Sequence, residues 1–131
     1  MGISMELYYL ALTALITTLM WLPYGLALVK EQGLAAAFGN RENVPQLSAW
    51  AERSKRANSN AVENLVVFAA LILVAQAAGV HNEVTEWAAL IYFWMRVLHY
   101  LAYTFGVIYA RTLVWTIGWV CILVLAWQVL L

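Results

Sequence analysis

Charge is what this sequence has least of. Lysine, arginine, aspartate and glutamate make up 11% of its 131 residues, against roughly 25% in a soluble domain. Seven basic residues balance seven acidic ones, so nucleic acid finds no net positive charge here and is not expected as a partner. A single cysteine, Cys121, excludes an internal disulfide and a cysteine metal cluster. No basic residue precedes Lys30. That removes the positive region of a cleavable signal peptide, and the first apolar stretch is expected to stay in the chain. What remains is 65% apolar. The composition predicts an all-α protein embedded in lipid, organised as one domain over residues 1–131.

The uncharged runs predict four transmembrane helices, at about 5–29, 48–79, 84–109 and 111–131. From Leu7 to Val29 no charge occurs, about 34 Å of helix, enough to cross a hydrocarbon core of roughly 30 Å. Pro23 should kink this span. Between Lys30 and Arg56 lies the longest polar stretch, with Gly33, Gly39 and Asn40-Arg41-Glu42-Asn43-Val44-Pro45 marking a loop. The second helix opens with polar turns from Glu52 to Asn64 before its apolar run. The third carries Arg96 and His99 inside the span, and the fourth has no charge from Thr112 onward.

Basic residues set the orientation. Lys30, Arg41, Arg53, Lys55 and Arg56 flank the first connection and Arg111 lies at the third, whereas the link around Gly79 to Glu86 has none. The first and third connections therefore face the cytoplasm. Both termini are expected to face away from it. Arg41, Arg53 and Lys55 read as anchors snorkelling toward headgroups.

Polar side chains gather in the cytoplasmic leaflet. Arg56, Asn60 and Glu63 are spaced i, i+4, i+7 and share one helix face; Arg96, His99 and Tyr103 share another at i, i+3, i+7. Asn60 and Glu63 lie about 6 and 10 Å past Arg56, and Tyr103 about 12 Å before Arg111. Both stripes can therefore line one site. Charged groups in a span cost on the order of 3 kcal/mol each, so they mark a buried pair or a function. Arg56–Glu63 and Glu63–Arg96 ion pairs are the structural alternatives. No metal site is expected, because His81 lies at the opposite membrane face from His99. The excess of arginine over acid suits a small ligand with carboxylates, and Glu63 suits an ammonium group on it.

The stretch Glu52-Arg53-Ser54-Lys55-Arg56-Ala57-Asn58-Ser59-Asn60-Ala61-Val62-Glu63 resembles the E-R-x-x-R-A-x-x-N-x-x-E signature of the MAPEG family, membrane-associated proteins in eicosanoid and glutathione metabolism. The run Arg96 to Tyr103, with Arg111-Thr112, is similar to that family too. The resemblance covers nearly the whole chain and implies a homotrimer with glutathione, as substrate or cosubstrate, bound between neighbours. By that likeness Arg56, Asn60, Glu63, Arg96, His99 and Tyr103 hold the tripeptide, with Lys30 at the end of the first helix. Arg111 stabilises its thiolate and Thr112 assists. Ser59 stands where some eicosanoid synthases have arginine, and Trp115 where tyrosine is frequent. The implied member is therefore bacterial-type, a glutathione transferase or peroxidase acting on a lipophilic electrophile that arrives through the lipid.

Two other classes compete. A non-catalytic lipid-binding or scaffold protein of the same fold would need no thiolate. A transporter would need broken helices or a repeated half, and the sequence has no such repeat; the apolar outer leaflet offers no water path.

Overall fold

The computed structural model describes residues 2–41 and 45–131; of the expected loop run, Glu42, Asn43 and Val44 lie outside the described residues. Among the described residues six helices follow one another: α1 (Met5–Leu19), α2 (Trp21–Gln32), α3 (Leu34–Phe38), α4 (Ala49–Ala78), α5 (Glu83–Thr104) and α6 (Ile108–Leu130). The first span is interrupted at Met20, three residues before Pro23. Proline has no N–H for the carbonyl of Leu19, and its ring crowds that carbonyl. Met20 itself keeps helical dihedrals, so α1 and α2 form one kinked rod. At the break, the Tyr100 hydroxyl lies 3.5 Å from the Met20 carbonyl and 2.5 Å from Ser54 Oγ, joining α5, α4 and the kink.

Among the described residues three rods, Met5–Gln32, Ala49–Ala78 and Ile108–Leu130, are long and apolar enough to cross a membrane. Four were expected. Helix α5 is long enough, about 33 Å, but Arg96, His99 and its tyrosines make it too polar to join them on composition. Those polar residues are turned inward: Arg96 and His99 are 3% and 2% exposed. Outward-facing positions are apolar instead, among them Leu26, Val66, Leu113 and Val120. A surface of that kind suits lipid contact.

Helix α5 packs against α6, α1 and α4. The core joins Phe68 and Ile72 of α4, Ala88, Ala89 and Tyr92 of α5, and Cys121, Ile122 and Leu125 of α6. Phe68 and Tyr92 stack with ring centroids 4.0 Å apart. Cys121 is buried here as a packing residue. In lipid such cores hold by close contact more than by water exclusion.

Loop chemistry decides where helices stop. Gly79 closes α4 in the left-handed region, and Asn82 and Thr85 form a reciprocal capping box that opens α5. Before α4, Ser48 donates from both its N–H and its hydroxyl to Glu31, and Leu47 N–H donates to Glu52. The third helix stops at Thr104, short of the expected Tyr109. Phe105 to Ala110 is mostly apolar and looks like more span, but Gly106 sits at φ +77° and turns the chain.

Candidate functional site

The amino-terminal half of α4 presents its polar stripe to a cavity of about 450 Å³, lined by Glu52, Lys55, Arg56, Ser59, Asn60, Glu63 and Tyr103. The i, i+4, i+7 spacing places Arg56, Asn60 and Glu63 on the same wall, as helical periodicity requires. Tyr103, on the last turn of α5, supplies the other side.

Behind Asn60 lies a buried layer from α5. Arg96 Nη2 donates to Asn60 Oδ1 at 2.6 Å and lies 3.4 Å from His99 Nδ1. Asn60 is held from its own helix as well, its carbonyl and Oδ1 accepting from Asn64 Nδ2. His99 meets the Tyr103 ring edge-on. On Tyr103, the Arg111 guanidinium sits 4.5 Å from the ring centroid, a cation–π contact. Six of the expected residues and Arg111 thus form one connected group. Two do not join it. Lys30 is exposed on the last turn of α2 and Thr112 is exposed on α6, its hydroxyl 3.4 Å from the Ile108 carbonyl; neither lines the cavity.

The electrostatics are unbalanced. Among the described residues, no lysine or arginine lies within 4.0 Å of a carboxylate; the ion pairs present both involve His81. The Arg56–Glu63 and Glu63–Arg96 pairs that would have made the stripe purely structural are not formed. Arg96 Nε is buried and has no hydrogen-bond partner among the described residues. A buried charge left that way costs several kcal/mol unless something else meets it.

Several residues have roles that spacing did not reveal. Arg53, expected to snorkel, donates from Nε to the Thr104 carbonyl at the end of α5. Arg41 donates to the Ala37 carbonyl. Tyr24 accepts from Asn58 Nδ2 through its hydroxyl. Lys55 and Glu52 also border a second cavity of about 260 Å³, with Tyr24, Arg41 and Leu47. These contacts depend on where other helices end, which periodicity within one helix does not report.

A second polar group lies at the far end of α4 and α5. Glu6, 4% exposed, lies 2.8 Å from His81 Nδ1 and accepts from Thr85 Oγ1 at 2.5 Å; His81 Nε2 lies 3.4 Å from Glu86. One ligand-capable atom from each of Glu6, His81 and Glu86 falls within 4.8 Å of the others. Each imidazole nitrogen already faces a carboxylate, which is the geometry of a bridging imidazolium. The hydrogen bond to Glu6, followed by the negative charges of Glu6 and Glu86, raises the His81 pKa above its ordinary value. No signal in the sequence joined these three, since they come from α1, the link and α5.

No curated protein matches the chain. A family profile does: that of the MAPEG family fits residues 6–131, which takes in the whole polar cavity and every helix around it. With helices built to cross a membrane and a match along nearly its entire length, this integral membrane chain belongs to the MAPEG family.

Proposed function

We propose that the protein is a membrane-bound glutathione-dependent transferase, with peroxidase-type chemistry open to the same site. It activates the glutathione thiol for attack on a lipophilic electrophile. The observation that carries this reading is the set of cations around the cavity with no acid partner among the described residues. Glutathione brings two carboxylates, one ammonium and a thiol. Arg56 and Arg96 meet the carboxylates, where a guanidinium forms paired hydrogen bonds. Glu63 meets the ammonium, and Asn60, fixed by Arg96 and Asn64, orients the backbone of the tripeptide. The cavity volume falls within the range of small-molecule sites, roughly 300–1,000 Å³.

Arg111 acts on the sulfur. A free thiol has a pKa near 8.5, and an adjacent guanidinium lowers it, raising the nucleophilic fraction at neutral pH. Tyr103 holds that guanidinium by its ring face while its own edge of the cavity receives the ligand. His99 braces Tyr103. The sulfur then attacks the electrophilic carbon of a substrate arriving from the lipid, and the leaving group departs with the electron pair of its bond to carbon.

In this proposal α5 crosses the membrane as a fourth span, the first and third connections lie in the cytoplasm, and three copies assemble so that a neighbour closes the open side of each cavity. Lys30 and Thr112, exposed on a single chain, then meet the ligand or its surroundings from that side. Conjugation of a chlorinated nitroarene by purified protein in detergent tests the reading. Arg111→Ala should lose at least about tenfold in rate at neutral pH, a loss of one pKa unit in thiol activation. Equal background rates in both proteins would instead favour a lipid-binding or scaffold role.

A further inference from the structure

We infer that Arg53 is a positioning residue for thiol activation: it fixes the α5–α6 turn and thereby holds Arg111 over Tyr103. This inference rests on the glutathione reading above and goes beyond it by assigning a role to a residue outside the cavity wall. A helix ends with carbonyls that lack partners, and these must be met elsewhere. At the end of α5 each is accounted for. Phe105 N–H donates to Leu101, Val107 N–H to Ala102 at 2.8 Å, and Gly106 N–H to Tyr103. The Ala102 and Tyr103 bonds form a Schellman closure, with Gly106 left-handed at φ +77°. Thr104 keeps the one carbonyl that the turn does not satisfy. Arg53 supplies the donor from another helix, Nε to O at 3.0 Å.

The contact is close as well as polar. A Cβ on Gly106 would stand 3.5 Å from Arg53 Nε and 3.6 Å from Cζ, so the guanidinium packs directly against the turn. A cation at this place also favours the negative end of the α5 dipole. What the turn connects gives the contact its consequence. Tyr103 directly precedes Thr104, and Arg111 lies on the first turn of α6, its N–H bonded to the Val107 carbonyl. The two side chains whose 4.5 Å contact places the guanidinium therefore flank the segment that Arg53 holds. Without Arg53, the Thr104 carbonyl is stranded and the entry to α6 can relax, carrying Arg111 away from the ring.

Loss of a purely stabilising cap would lower the melting temperature and change nothing else in the folded protein. Positioning makes a different prediction. In full-length detergent-purified protein, the pH titration of the ultraviolet absorbance of bound glutathione thiolate is compared in wild type, Arg53→Ala, Arg53→Lys, Arg111→Ala and the Arg53→Ala/Arg111→Ala double variant, alongside calorimetric affinity and melting. Arg53→Ala should raise the pKa of the bound thiol by about one unit, a tenfold loss of thiolate, with affinity, read below the bound thiol's pKa, changed less than about threefold. Arg53→Lys should recover part of the shift, since an ammonium can still donate to Thr104. In the Arg111→Ala background, removing Arg53 should add nothing, the non-additivity of two residues acting as one unit. An unchanged thiol pKa in folded Arg53→Ala overturns the inference, as does an Arg53→Lys shift as large as that of Arg53→Ala, or a full additional shift in the double variant. Failure of wild type to bind glutathione would remove the parent reading, and this one with it.

Discussion

The two ends of the bundle handle buried polarity in opposite ways. At the Glu6 end every partner comes from the chain itself: Thr85 and His81 meet Glu6, Asn82 caps Thr85, and Asn82 Nδ2 donates to Gln128. At the Arg96 end, a guanidinium that is just as buried keeps an Nε without a partner among the described residues, and its one anionic neighbour along the stripe, Glu63, is not within ion-pair distance. The first arrangement is complete and needs no ligand. The second does not close among the described residues, and in the proposed function glutathione is what meets it. A buried polar side chain therefore says little by itself; whether its hydrogen bonds close within the chain separates a strut from a site.

That comparison breaks most sharply at Arg96. Arg96→Met removes a buried cation that lacks an acid partner, while Asn60 Oδ1 keeps the Asn64 donor at 3.3 Å. Affinity for glutathione should fall by about 30-fold or more, the loss of roughly 2 kcal/mol or above expected for one side of a buried charged contact. The melting temperature of ligand-free protein should hold or rise, because the cost of burying the charge is relieved. A large drop in melting with affinity intact would mean that Arg96 is a strut after all.

Glu6 should behave the other way round. Glu6→Ala strands His81 and one bond of Thr85, and should cost about 1–3 kcal/mol of stability, seen as a lower melting temperature with glutathione affinity unchanged. The smallest effect is a pH dependence at the same end. Because His81 has a raised pKa in the folded protein, its contribution is complete below the ordinary histidine value of 6.5 and fades as pH rises through the raised value. Wild type should thus lose some thermal stability on going upward from pH 6.5, and His81→Ala should be flat over that window. The groups that face His81 are Glu6 from α1 and Glu86 from α5, so Glu86→Gln should shrink the slope without abolishing it.

Much of this was legible in the residues, and the gaps share one cause. Uncharged runs marked three of the four expected spans, because lipid leaves the backbone no other way to satisfy itself. The spacing of Arg56, Asn60 and Glu63 placed them on one wall, because helical register is a local property. Local pattern failed where one element's end meets another's side. Hydropathy carried the third helix to Tyr109, whereas the backbone freedom of Gly106 ends it at Thr104. Arg53 stands one turn before Arg56 and looks like a headgroup anchor until the Thr104 carbonyl is seen beside it. Glu6 looked like a span boundary, yet it is buried against a residue 79 positions away. Lys30 and Thr112, carried over by likeness alone, are the two that a single chain does not bring to the cavity.

Isothermal titration of glutathione into folded, detergent-solubilised protein addresses the core of the account. Saturable binding that weakens in Arg96→Met and persists in Glu6→Ala is the predicted outcome. No binding to wild-type protein of intact melting behaviour would contradict it, leaving the unmatched cations without a ligand and the activity without a basis.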